Sequence, residues 1–308
     1  MRDKSFFVNA HTHLELTDTE TNFRENLHQE QLWDWIIEIV KKKRSLKESD
    51  FEENIKRGEK FLIDNNNIFI GDIRSVNPEN PLFYDNRLNG IVFFEVLGYE
   101  EEVFLRKWDE FEKFFNKHKN SKKIGLSVHS LYTTSPKKAK ELIKFARDNG
   151  LMTAMHLGEK KEESEFLFKN NLNGFRKIFK NAVVEDYGFK SYSDIIDYLN
   201  LGSDTILIHC TQFDKSDWLK VKERDIPVVL CPRSNLYFTG LLPDIESIIE
   251  LDIRWALGTD SLYTNKDINV FEEGKFLMEK FLHIKDIEKK VLHTLTYGGL
   301  DVLGIRSE

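Results

Sequence analysis

The chain has 308 residues, with 45 Lys and Arg against 52 Asp and Glu, a formal charge of −7. Hydrophobic residues make up 40%, enough apolar surface to offset chain entropy, which excludes a disordered chain. The acidic balance excludes a nucleic-acid binder held by a general basic field, and the length allows two small domains or one α/β barrel of about 250 residues or more.

In chain order, the first strand is expected over Phe6–Asn9. Its apolar run is shorter than the roughly 7–15 residues of a signal peptide, and no stretch approaches the roughly 20 apolar residues of a membrane helix. The expectation is a soluble, cytoplasmic protein. Leu32, Trp35, Ile36, Ile39 and Val40 fall at helical spacing and predict a helix over Gln31–Lys43, and a second helix follows over Asp50–Asn65. Strands are expected at Ile68–Ile73 and Gly90–Val96, a helix at Glu101–His118, a strand at Ile124–Ser127, a helix at Pro136–Asn149 and a strand at Met152–His156. Residues 160–190 are irregular and rich in Phe and Asn; they suit a short helix on the active-site face, as a lid or a plain insertion. Then come helix Tyr192–Leu199, strand Thr205–His209, helix Lys215–Arg224, strand Pro227–Leu230, helix Asp244–Leu251, strand Arg254–Gly258 and helix Phe271–Phe281. Eight short strands, each followed by helix, predict parallel strands with helical crossovers closing into a single (β/α)8 barrel domain over residues 1–308. Cys210 and Cys231, the two cysteines, read as reduced thiols.

In such a barrel the active site lies at the C-terminal strand ends. Strand 1 ends in His11-Thr12-His13, strand 4 in His129, strand 5 in His156, strand 6 in His209 and strand 8 in Asp260. Residues two apart on a strand share a side, so His11 and His13 can face one metal, which imidazole suits. With His156 and Asp260 they make three imidazoles and a carboxylate, a set that leaves room for a water. Asp260 would also accept that water's proton, or instead cap the helix that follows. Glu159, three residues after His156, can reach substrate without binding the metal, the place for a proton shuttle. Beside a metal, His209 can hold or polarise the water.

The motifs Asn9-Ala10-His11-Thr12-His13-Leu14-Glu15, Ser127-Val128-His129-Ser130-Leu131-Tyr132, His156-Leu157-Gly158-Glu159, His209-Cys210, Cys231-Pro232-Arg233-Ser234-Asn235 and Leu257-Gly258-Thr259-Asp260-Ser261 span nearly the whole chain. In them the sequence resembles the amidohydrolase superfamily, in its cytosine-deaminase, chlorohydrolase and thioadenosine-deaminase branch. The resemblance implies one divalent metal, zinc or iron, on His11, His13, His156 and Asp260, with Glu159 relaying protons, His209 orienting the water and His129 contacting substrate. No lysine ends strand 4, so the carbamylated lysine of two-metal members is not expected. Relatives carry a small β-domain before strand 1 and after the last helix. Here strand 1 starts near residue 6 and the chain ends soon after Thr296-Tyr297-Gly298-Gly299-Leu300, so the resemblance implies a barrel without it.

Leu14-Glu15-Leu16, the Trp33-Asp34-Trp35 helix with Arg44 nearby, and Phe94-Glu95-Val96-Leu97-Gly98 look most like aminodeoxyfutalosine deaminases of the alternative menaquinone pathway. Thioadenosine, adenosylhomocysteine and adenosine deaminases are the alternative, followed by chlorohydrolases and cytosine or guanine deaminases. The expected ligand is then a small amino-purine nucleoside rather than nucleic acid or membrane, with a homo-oligomer open. Trp35, Arg44, Arg233, Ser234 and Asn235 are the further candidates for substrate contact. Arg44 would pair with a benzoate carboxylate, or else complement a helix C-terminus; Arg233 is a second candidate for a substrate anion.

Overall fold

The computed structural model describes residues 6–18, 26–76 and 79–305. Eight strands, β1 Phe7–Thr12, β2 Asn67–Arg74, β3 Asn89–Val96, β4 Ile124–Val128, β5 Met152–Leu157, β6 Thr205–His209, β7 Val228–Leu230 and β8 Trp255–Leu257, pair in sequence order. Every pairing is parallel. The helices are α1 Leu32–Ser45, α2 Glu48–Asp64, α3 Glu101–His118, α4 Pro136–Asp148, α5 Lys161–Lys169, α6 Phe175–Ile178, α7 Tyr192–Leu199, α8 Lys215–Glu223, α9 Pro232–Thr239, α10 Ile245–Glu250, α11 Val270–Lys280, α12 Ile287–Thr294 and α13 Tyr297–Val302. None of those described is long and apolar enough to cross a membrane.

The pleat sorts the apolar side chains into two layers. On β3, Ile91 and Phe93 point into the barrel with Ile73, Ala154, Ile206 and Val229. Val92, Phe94 and Val96 face outward onto Phe111 and Phe114 of α3. Inward residues at the strand tops are therefore the ones that meet at the mouth.

The expected helix after every strand fails once. α1 and α2 both lie between β1 and β2, while the described residues between β2 and β3 hold no helix. Asn80, Pro81 and Asp85 favour turns there. The buried Glu59 of α2 pins this connection, accepting from the backbone N–H of Tyr84 at 3.0 Å and Asp85 at 2.8 Å.

The barrel closes at the mouth. Thr259 and Asp260 donate their N–H groups to the His11 carbonyl at 2.9 and 3.1 Å, and Thr12 bridges Asp260 in parallel. Gly258 makes this approach possible: a Cβ there would lie 2.6 Å from the His11 Cβ.

Residues 160–190 carry α5 and α6 and pack onto α1. Trp33 of α1 meets Phe166 and Phe175 edge-on, and a Cβ on Gly174 would collide with its indole. Lys177 pairs with Asp34 at 2.7 Å, and Glu162 accepts from Leu32 N at 3.2 Å. The stretch is a docked wall beside the mouth.

Candidate metal centre and active site

β1 carries His11 into the mouth, and His13 follows it. Nitrogens of His11, His13 and His156 lie within 4.8 Å of one another. Asp260 Oδ1 lies 3.6 Å from Nε2 of both His11 and His13. Donors on a tetrahedral zinc sit about 3.4 Å apart. Three imidazoles, with Asp260 beside two of them, are therefore brought together from strands distant in sequence.

The residues fit a divalent cation on three counts. His11 is 1% exposed, yet neither ring nitrogen has a hydrogen-bond partner, a costly arrangement unless something takes a lone pair. Burial holds His13 and His156 well below the usual imidazole range, in the neutral form that metals bind. His156 Nδ1 lies 2.8 Å from the His129 carbonyl, which can only accept, so the proton sits on Nδ1 and Nε2 is free. Asp260 lies well below the usual carboxylate range: burial opposes this, but His11, His209 and His13 together outweigh it. Its other oxygen accepts from Ser234 Oγ at 2.8 Å and Thr264 Oγ1 at 2.7 Å. Asp260 (φ 61°) and His209 (φ 74°) both occupy the left-handed region, a strain that persists where surrounding structure enforces it.

Glu159 Oε1 lies 3.3 Å from His209 Nε2, and Glu159, His209 and Asp260 form a second close set of donor atoms. Burial, then the charges of Asp260 and Glu163, raises the Glu159 carboxyl well above its usual range. Burial keeps His209 neutral.

Five histidines, His11, His13, His129, His156 and His209, gather at the mouth; His129 and His209 stand 5.0 and 5.4 Å from the His156 ring. His129 Nδ1 is held by Ser130 Oγ at 3.0 Å and Thr133 Oγ1 at 2.9 Å. The other proposed contacts divide. Trp35 is half-buried against Phe238, ring centroids 4.5 Å apart. Ser234 and Asn235 touch Asp260 and His209, so they position site residues. The Arg233 guanidinium is occupied by Glu273 at 2.7 Å and by both oxygens of Asp267 at 3.0 and 2.8 Å. Arg44 is exposed near the end of α1.

Three residues were passed over. Lys43, one position before Arg44, turns inward to pair with the buried Glu15 and to reach Ser75 Oγ at 2.6 Å. Glu95 lies within 4.8 Å of His129 and His156 donor atoms; its Oε1 has no partner, and burial pushes its carboxyl up to about 7. It is the last inward residue of β3, a signal the pleat offered. Glu163, four after Glu159, is likewise buried.

A sequence model of the amidohydrolase family matches residues 7–308. Adenosine deaminase of Helicobacter pylori is 24% identical over 311 residues, covering 98% of this chain and 74% of its own. Aminodeoxyfutalosine deaminase of Deinococcus radiodurans is 26% identical over 318 residues, covering 97% and 73%. Among solved structures, Helicobacter pylori aminofutalosine deaminase in complex with methylthio-coformycin superposes with a TM-score of 0.78 at 22% identity, covering 97% of this chain and 73% of that one. The barrel, its mouth of histidines and the match along nearly the whole sequence agree: the chain belongs to the amidohydrolase family.

Proposed function

We propose that this chain is a metal-dependent aminohydrolase that removes the 6-amino group of an adenine nucleoside, with 6-amino-6-deoxyfutalosine as its first substrate and methylthioadenosine, adenosylhomocysteine or adenosine second. The observation that carries the reading is Glu159 Oε1 3.3 Å from His209 Nε2, next to the His11, His13, His156 and Asp260 set. The names of the similar deaminases support it. A divalent ion, zinc or iron, held by those four residues would supply Lewis acidity and lower the pKa of a water towards about 7.

The chain's own residues do the rest. Glu159 hands its proton to N1 of the purine, which makes C6 electrophilic. Water adds at C6 as Asp260 takes one of its protons, which passes to the departing amine; the proton of the new C6 hydroxyl returns to Glu159, so the products are the 6-oxo nucleoside and ammonia. His209 and Asp260 hold the incoming water. Such acid–base help contributes on the order of 10²–10⁴ in rate. His129 is the proposed substrate contact, its ring 5.0 Å from that of His156.

The test is ammonia release by metal-loaded protein from aminodeoxyfutalosine, methylthioadenosine, adenosylhomocysteine, adenosine and guanine. The highest kcat/KM is expected for aminodeoxyfutalosine, with none for guanine. No ammonia from any 6-aminopurine nucleoside overturns the reading.

A further inference from the structure

The turn that carries Glu159 is held from both sides. On the carbonyl side, Gln212 N donates to Gly158 O at 2.9 Å, and Thr211 Oγ1 lies 3.1 Å from Gly158 O and 2.5 Å from Glu159 O. Lys160 sends Nζ into the carbonyls of Glu30 at 2.7 Å and Phe238 at 2.8 Å. On the amide side, Glu163 Oε2 accepts from Glu159 N at 2.9 Å. Glu163 is 1% exposed, its Oε1 has no partner, and among the described residues it is surrounded by backbone N–H groups rather than a cation. Burying a carboxyl without a cation is costly, and a Gln would accept the same N–H more cheaply. A carboxylate makes the stronger hydrogen bond to an amide. The position therefore favours a rigid Glu159 turn over stability.

We infer that Glu163 is a positioning residue: through the Glu159 N–H it fixes the turn that aims the Glu159 carboxyl at His209 Nε2. The inference rests on the proton-carrying role proposed above for Glu159. A misaimed group can cost up to about 100-fold in rate.

The experiment compares wild type, Glu163→Leu, Glu163→Asp and Glu163→Gln, loaded with zinc. It measures zinc content, kcat and KM, and amide hydrogen exchange of the peptide containing Glu159 by mass spectrometry. Leucine removes the acceptor, and aspartate keeps the charge but withdraws the acceptor by one methylene. Both are expected to lose roughly 10–100-fold in kcat, with KM and zinc content held and exchange at Glu159 accelerated. Glutamine keeps an acceptor and is expected to recover turnover relative to leucine and to restore slow exchange. If leucine does not fold, the aspartate and glutamine pair decides. Wild-type kcat in Glu163→Asp, unchanged exchange in it, or zinc lost in step with kcat overturns the inference. If wild type releases no ammonia from any adenine nucleoside, the proposed function falls, while the exchange measurement still judges the Glu163 contact.

Discussion

The Asn235 amide fixes the tautomer of His209. Asn235 Oδ1 accepts from Cys231 N at 3.3 Å, so its Nδ2 faces His209 Nδ1, 3.0 Å away. An amide nitrogen only donates, so Nδ1 accepts and the ring proton sits on Nε2, towards Glu159. Asn235→Asp replaces the donor with an acceptor and draws the proton to Nδ1. A loss of about 10²–10⁴ in kcat is expected, with the His209 15N signals changing from the Nε2–H to the Nδ1–H pattern. Unchanged signals would refute the tautomer assignment.

Metal analysis should find one divalent ion per chain. His11→Ala and His156→Ala are expected to lose it, whereas Glu159→Gln keeps it and loses turnover. Because an ion that binds only the folded state stabilises by mass action, about 4 kcal/mol at a thousandfold excess over Kd, a chelator should lower Tm in wild type and Glu159→Gln but not in His11→Ala. Equal Tm with and without chelator in wild type counts against an ion at this site.

Adjacent cations on α1 should behave differently. Lys43 pairs with a Glu15 that is 1% exposed, so Lys43→Met strands a buried carboxylate, at a cost of roughly 3 kcal/mol. Arg44 is exposed, and Arg44→Ala is expected to shift stability by less than about 0.5 kcal/mol and to leave KM for the benzoate-bearing nucleoside unchanged. Urea unfolding and steady-state kinetics check both. A raised KM in Arg44→Ala would restore the carboxylate pairing expected from the sequence.

Glu163 sets a pH dependence. Burial raises its carboxyl from 4.5 to about 7. Below pH 4.5 it is protonated folded or unfolded. As pH rises towards 7 the unfolded chain ionises first, so its contribution to stability is lost across that window, by about 3 kcal/mol in all. Glu163→Gln lacks this loss. Its stability advantage over wild type should therefore grow between pH 4.5 and 7 and level off above. Parallel curves for the two proteins would contradict the assignment.

Much of the barrel was legible because buried parallel strands leave short β-branched runs, and Thr205–His209 is read to the residue. His11, His13, His156 and Asp260 were legible because they stand at strand ends, where a barrel collects them. Arg44 and Lys43 were not separable, since a one-residue step turns a side chain about 100° around a helix and a run of four cations masks which one faces in. Arg233 was obscured for another reason: Asp267 and Glu273, which occupy it, lie 34 and 40 residues away. Between β2 and β3 the turn formers Asn80, Pro81 and Asp85 were local signals, but the Glu59 contact that pins the connection was not.

The join between β8 and β1 has a thermodynamic corollary. The groups that close it, His11 and Asp260, are also two of the four proposed ligands. An ion bound there would rivet the start of the chain to its final third, so occupancy and completion of the cylinder become one equilibrium, and stripping the ion should loosen the first strand before any other.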